Sequence, residues 1–359
     1  MSPELLLVVI LGPTASGKSS LAIHLAERFW GEIVSCDSVA IYCDFEIGTA
    51  KPSREERARI PHHLIDVAHP GEAFTAGDYA RQARVAIQDI ANRGHLPIVV
   101  GGAGLYLRAL LEGLFSGPQR SEELRQRLHA RAGLRGFGYL HRILQRLDSA
   151  SAAKIHPNDT PKLIRGIEVC LSARSPMSEL WEKGRDPLRG FRILRLGLNP
   201  SREELYARIN QRAAKMFEDG LVAETERLLQ LYGDTREVTA MHSLGYRQAR
   251  QVLRDELKQD QAIADAQQGH RNYAKRQMTW FRREADVHWL EGFGDDPAIR
   301  DRATTMVQGV WNLKLVFVLS SQRDAPPLSV SAGLRATVPS GRVPRQQAHL
   351  PDARSGSPG

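Results

Sequence analysis

Seven apolar residues, Leu5–Leu11, run directly into Gly12-Pro-Thr-Ala-Ser-Gly-Lys-Ser19, and this junction constrains the fold more than any other part of the chain. The first piece has the length and content of a buried strand. The second fits G-x-x-x-x-G-K-[ST], a loop whose backbone N–H groups and following helix N-terminus cradle a di- or triphosphate. Lys18–Phe29 then carries Leu21, Ala22, Leu25 and Ala26 at helical spacing. Strand, glycine loop and helix in that order predict an open parallel sheet with a phosphate site at a strand's C-terminal end. The candidate diphosphate-binding residues are Gly12, Pro13, Thr14, Ala15, Ser16, Gly17, Lys18 and Ser19. Lys18 would neutralise the anion, and the Ser19 hydroxyl is the candidate Mg²⁺ ligand. The loop does not say whether the phosphates belong to a nucleotide or to another diphosphate.

The alternation continues with a short strand at Glu32–Ser35, an amphipathic helix at Gly77–Arg93, and an apolar strand at Leu96–Val100 ended by Gly101-Gly102. Apolar strands with no polar face belong to a parallel sheet covered on both sides. From 120 to about 174 the pattern is helical. Phe191–Leu198 reads as a returning strand, followed by a helix at Arg202–Asp219 with Ser201 as N-cap and Gly220 as its stop. Further helices are expected at Leu221–Tyr232, Tyr246–Leu257 and Ile263–Arg283, with Met278 and Phe281 in the core. The expected class is α/β, a P-loop NTPase-like parallel sheet flanked by helices with a mostly helical insertion. Its parts are 1–119 (first half of the core), 120–190 (insertion), 191–312 (return to the core with C-terminal helices) and 313–359 (tail). Six prolines fall within 325–359, and that stretch is expected to be disordered.

A P-loop enzyme usually has a second acid closing an apolar strand, yet Leu96–Val100 ends in glycine. Asp66 follows a proline-broken segment. Asp37, at the end of the second strand, is the clearer acid. It could bind Mg²⁺, act as a general base or cap the next turn.

Charge matters once it is divided along the chain. The net +8 is the sum of −3 (1–119), +6 (120–174), +1 (175–264), +4 (265–283), −3 (284–324) and +3 (325–359). Two internal basic segments beside an acidic N-terminal part favour a polyanion-binding face over generally basic character. No apolar run approaches the roughly 18 residues of a membrane span, and Leu5–Leu11 lacks the basic flank of a signal peptide. Cys36, Cys43 and Cys170 form neither a disulfide framework nor a zinc pattern, so a cytoplasmic location is expected.

Nine segments in order resemble one family, the tRNA dimethylallyltransferases, or tRNA isopentenyl transferases. They are GPTASGKS (12–19), CDSVAIY (36–42), IGTAKP (47–52), PHHLID (61–66), GGAGLYLRALLEG (101–113), IHPNDTPKLIRGIEV (155–169), RINQR (208–212), SLGYRQ (243–248) and YAKRQMTWFRR (273–283). The resemblance spans about 5–292.

That resemblance implies transfer of a dimethylallyl group from dimethylallyl diphosphate to N6 of the adenosine 3′ of the anticodon, in tRNAs reading codons that begin with U. It implies Mg²⁺ as cofactor, the anticodon stem-loop as partner, and a monomer. Asp37 matches the position that receives the adenine amine and serves as general base. Thr14 lies near the reacting centre, and Lys18 with Arg212 (or Arg208) meets the diphosphate. The implied tRNA contacts are Asp37, Ser38, Val39, Ala40, Ala103, Leu124, Pro161, Lys162, Leu163, Ile164, Arg165, His242, Ser243, Leu244, Gly245, Tyr246, Arg247, Lys275 and Arg276. Trp280 could stack on RNA, although a lone helical Trp more often belongs to the core. The chain departs from the family pattern at Ala103 (usually Thr), Val39-Ala40 (a pair often ending in Gln), Lys162 (commonly Arg) and His270 (commonly Thr). Competing readings are an adenylate isopentenyltransferase, a small-molecule P-loop kinase and an RNA-binding module with a vestigial loop.

Overall fold

The structure is a computed structural model. It describes residues 4–115, 117–182, 184–234 and 238–323, without the side chains of 312–323. The expected disorder of 325–359 lies outside the described residues.

Six parallel strands form one sheet in the order β3-β2-β4-β1-β5-β6. They are β1 (Leu5–Leu11), β2 (Gly31–Cys36), β3 (His62–His63), β4 (Leu96–Gly101), β5 (Phe191–Leu198) and β6 (Val287–Leu290). β1 is central because it is apolar on both faces. Leu7, Val9 and Leu11 point into one core and Leu6, Val8 and Ile10 into the other. Its register pairs Val8–Ile10 with Ile98–Val100 on one side and Leu5–Leu11 with Phe191–Gly197 on the other.

Helices α1 (Lys18–Phe29), α2 (Arg54–Arg59), α3 (Ala76–Asn92) and α4 (Gly104–Leu111) belong to the first half of the sheet. Between β4 and β5 come α5 (Glu122–Arg135), α6 (Tyr139–Leu147), α7 (Ser149–Ala152), α8 (Thr160–Ala173) and α9 (Met177–Glu182). This insertion has its own core, built on Leu128, Leu140, Leu144, Leu163, Ile164 and Ile167. After β5 follow α10 (Arg202–Glu218), α11 (Leu221–Tyr232), α12 (Tyr246–Leu253), α13 (Gln259–Phe281) and α14 (Pro297–Arg323). As expected, Ser201 caps α10 by accepting from the Glu204 N–H, and Gly220 follows its end in the left-handed region.

Three expectations change. The helix expected over 246–257 stops at Leu253, because Asp255 turns into the left-handed region at φ 57°. α13 therefore starts at Gln259, four residues before Ile263. α14 runs on to Arg323, past the expected start of the tail at 313. β3 and β6 are too short to announce themselves and exist as edge strands on β2 and β5. Among the described residues no helix is long and apolar enough to cross a membrane.

Candidate active site

The loop after β1 leaves the amides at the start of α1 open, while the Thr14 N–H is bonded to Gln277 and the Ser16 N–H to the Pro13 carbonyl. Gly17 sits at φ 83° as the N-cap of α1, with no side chain capping the helix. The first-turn N–H groups therefore face outward, as an anion site requires. A side chain at Gly17 would lie 2.8 Å from the Gly294 nitrogen, and the Gly294 N–H itself donates to the Ser16 carbonyl at 2.9 Å. The turn after β6 thus braces the loop from behind. Ser16 is buried, and among the described residues its Oγ has no partner. Lys18 donates from Nζ to the Pro13 carbonyl at 2.7 Å. Burial, reinforced by the nearby Arg212 guanidinium, pushes the Lys18 ammonium down to about 7.

Two cavities meet at this loop. The inner one, about 120 Å³, is walled by Thr14, Lys18, Asp37, Gly102, Arg212, Tyr273 and Gln277. The outer one, about 850 Å³, is lined by Ser19, Lys51, Arg54, Arg57, Arg208, Arg212 and Lys215 among others. Lys18, Ser19, Lys51 and Arg212 border both. A cationic vestibule therefore opens onto a small chamber at the C-terminal edge of the sheet, where open α/β folds bind ligands.

Asp37 both caps a turn and faces the chamber. Its Oδ1 accepts from the Val39 and Ala40 N–H groups at 2.8 and 3.1 Å. Among the described residues Oδ2 has no hydrogen-bond partner. The two arginines offered by RINQR also separate. Arg208 is paired with Asp295 at 2.7 Å and lies over the Phe293 ring at 3.6 Å. Arg212 donates from Nη1 to Thr14 Oγ1 at 3.1 Å, on the wall of the inner chamber. Asp66 is held by Lys51 at 2.5 Å and Arg57 at 2.8 Å, which leaves it unsuited as the second acid of a kinase.

Gln277 and Tyr273, which lie in the segment YAKRQMTWFRR without a role assigned from the sequence, complete the chamber. Gln277 accepts the Thr14 N–H at Oε1 (2.8 Å) and donates from Nε2 to the Gly102 carbonyl (3.1 Å). One turn earlier on α13, Tyr273 lines the same chamber. His270 borders a crevice with Thr14, Ala15 and Arg212; its Nε2 is buried with no partner among the described residues, and burial beside Arg212 pushes the imidazole down to about 4. Helical spacing of 270, 273 and 277 was the available signal, but it reads equally as an ordinary buried stripe.

The candidate tRNA contacts divide by exposure. Ser38, Pro161, Lys162, His242, Arg247, Lys275 and Arg276 are exposed, and Val39, Ala103, Leu124, Ser243 and Leu244 are half-buried. Ala40 is buried. Contrary to expectation, Leu163 and Ile164 lie inside. They are 1% and 0% exposed in the insertion's core, because the helical period of α8 turns them inward from the exposed Lys162. Tyr246 lies inside as well. It is buried, its hydroxyl donating to Glu224 at 2.5 Å and accepting from the Gly48 N–H at 3.1 Å. The Gly245 N–H is spent on Gln248 Oε1 at 3.0 Å. Arg165 is half-buried and pairs with the buried Glu168 at 2.7 Å. Trp280 packs on the core beneath Arg108, 4.5 Å from its ring, and Phe281 is core. Met278, expected there too, is half-buried along a groove beside α10.

An open parallel sheet with a phosphate loop, an acid beside it and a cationic vestibule defines a P-loop-type α/β enzyme acting on a phosphorylated donor. Residues 40–284 match the model of the IPP transferase family. A tRNA dimethylallyltransferase of Koribacter versatilis is 65% identical over 303 residues, covering 84% of this chain and 98% of that protein. One from Solibacter usitatus is 57% identical over 301 residues, covering 84% and 97%. Among solved structures, a tRNA isopentenylpyrophosphate transferase of Staphylococcus epidermidis aligns with TM-score 0.60 at 34% identity, over 85% of this chain and 99% of that one. A eukaryotic dimethylallyltransferase acting on tRNA aligns with TM-score 0.73 at 27% identity, over 87% and 80%. The chain belongs to the IPP transferase family, that of the tRNA dimethylallyltransferases.

Proposed function

We propose that this chain transfers the dimethylallyl group of dimethylallyl diphosphate to N6 of the adenosine 3′ of the anticodon, in tRNAs reading codons that begin with U. The products are N6-isopentenyladenosine and diphosphate. The observation that carries the reading is the shared chamber, in which the Asp37 carboxylate faces Lys18, Thr14 and Arg212 at the mouth of the phosphate loop.

An adenine amine is a weak nucleophile. As its lone pair bonds the allylic carbon, the C–O bond to the diphosphate breaks and the bonding pair leaves with oxygen. The N6 proton passes to Asp37 Oδ2, a general-base step of the kind that contributes about 10²–10⁴-fold. Charge grows on the departing diphosphate, and Lys18, the open amides at the start of α1 and Arg212 would stabilise it. Two backbone N–H groups on Oδ1 keep the carboxylate from rotating away.

The donor set fits Mg²⁺ held chiefly by ligand oxygens. Ser19 lies on the wall shared by both cavities, and among the described residues no cluster of three or more His, Cys, Asp or Glu forms a protein cage. Mg²⁺ normally keeps waters and substrate phosphates with one or two protein ligands. When bound, it supplies charge neutralisation at the diphosphate.

The target base would leave its stack to enter the chamber. Lys162, Arg247, Lys275 and Arg276, all exposed, would meet phosphates and make binding salt-dependent. The protein would act as a cytoplasmic monomer. The test mixes protein, Mg²⁺, dimethylallyl diphosphate and an anticodon stem-loop with adenosine 3′ of the anticodon. Mass spectrometry should find one added prenyl group on that adenosine. Unmodified RNA that is nevertheless bound, with donor intact, would overturn the reading.

A further inference from the structure

Gln277 stands out among the groups the reaction scheme leaves unused. It is 5% exposed, and both ends of its amide are spent on backbone atoms of different elements: the Thr14 N–H of the phosphate loop and the Gly102 carbonyl after β4. A primary amide accepts at one end and donates at the other without charge. The fit is close on the glycine side, since a Cβ at Gly102 would fall 2.0 Å from Gln277 Nε2. The Thr14 N–H is thereby taken out of the anion cradle, while the Thr14 hydroxyl accepts from Arg212. Flanking Gln277 on α13, Lys275 and Arg276 are exposed, so one helix carries candidate RNA contacts outside and a clamp on the donor loop inside.

We propose that Gln277 is a positioning residue for Thr14. By tying the start of the phosphate loop to the glycine end of β4, it holds the Thr14 hydroxyl on Arg212 at the mouth of the inner chamber. The proposal rests on the reading of Thr14 and Arg212 as parts of the donor site.

The test is a double-mutant cycle of Gln277→Met, which keeps the volume and removes both bonds, with Thr14→Val. The full chain is assayed by single-turnover prenylation at saturating donor and stem-loop RNA, with RNA affinity measured separately in the absence of donor. Gln277→Met should slow the step about tenfold and leave RNA affinity within about twofold. In the Thr14→Val background it should slow the step less than twofold further, as expected for contacting residues that act as a unit. Multiplicative losses would overturn the proposal, as would a normal rate with only a lowered melting temperature. A normal rate for Thr14→Val would instead show that the reading of Thr14 had failed, and Gln277 with it. Should Gln277→Met not fold, Gln277→Asn, an amide one methylene short, enters the same cycle with the same outcomes.

Discussion

Arg212 reaches from α10 to donate to the Thr14 hydroxyl at 3.1 Å, which fixes a guanidinium at the junction between vestibule and chamber. Arg208, one helical turn earlier, is committed to Asp295 and the Phe293 ring. Arg212→Gln should therefore lower kcat/KM for the allylic diphosphate by about 10²–10³-fold, the cost of losing one preorganised donor to developing charge. Arg208→Gln should stay within about threefold, because an exposed pair contributes little. Steady-state kinetics with both variants checks this; equal losses would mean that both arginines meet the donor.

Asp37 can be tested with its two duties separated. Asn at this position keeps an oxygen to cap the Val39 and Ala40 N–H groups but removes the proton acceptor. Asp37→Asn should lose about 10²–10⁴-fold in single-turnover rate, with RNA affinity and melting temperature close to wild type. A matching fall in RNA affinity would make the carboxylate a binding group.

Lys18 predicts proton uptake on donor binding. Its free ammonium is pushed down to about 7, first by burial and then by Arg212, and an incoming polyanion favours the charged form. At pH 8 the free amine is mostly neutral, so binding should take up close to one proton beyond the ligand's own titration. At pH 6 it is already charged and uptake should vanish. Titration calorimetry in buffers of differing ionisation enthalpy measures this directly; pH-independent uptake would contradict it.

What could be read in the sequence was local. The strand–loop–helix at 5–29, the carboxylate ending β2 and the helical insertion are each specified by neighbouring residues. What could not be read depends on contacts across the fold. Gln277 and Thr14 are 263 positions apart, and nothing in a run of α13 distinguishes a clamp on the phosphate loop from a buried polar residue. The choice between Arg208 and Arg212 likewise turned on Asp295 and Phe293, which arrive after β6. Leu163, Ile164 and Tyr246 show the reverse case. Their motifs sit beside exposed residues, but helical geometry and the Glu224 partner put these side chains inside.

Acid should weaken the fold through two groups of opposite kind, the buried Glu32 and the half-buried His270. Glu32, at the start of β2, has a side chain 3% exposed. Burial alone would raise its pKa, but hydrogen bonds from Arg93, His63 and His95 outweigh it and bring the carboxyl down to about 2. Its stabilisation is therefore present above the unfolded value of 4.5 and is lost as pH falls from there toward 2. His270 is the converse, a neutral imidazole pushed down from 6.5 to about 4 by burial and Arg212. The unfolded chain binds a proton between those values that the folded chain does not, so stability declines as pH falls from about 6.5 to about 4. Urea unfolding should show wild type losing about 1–3 kcal/mol between pH 7.5 and 4.5, at about 1.4 kcal/mol for each tenfold difference in proton affinity between the folded and unfolded chain. His270→Thr should flatten that decline and leave the steeper loss below about pH 4.5 in place. Glu32→Gln should be less stable at neutral pH, by about 1–3 kcal/mol, and lose less in the acid range. If His270→Thr followed the wild-type curve down to about pH 5, the imidazole would not be the group that senses it.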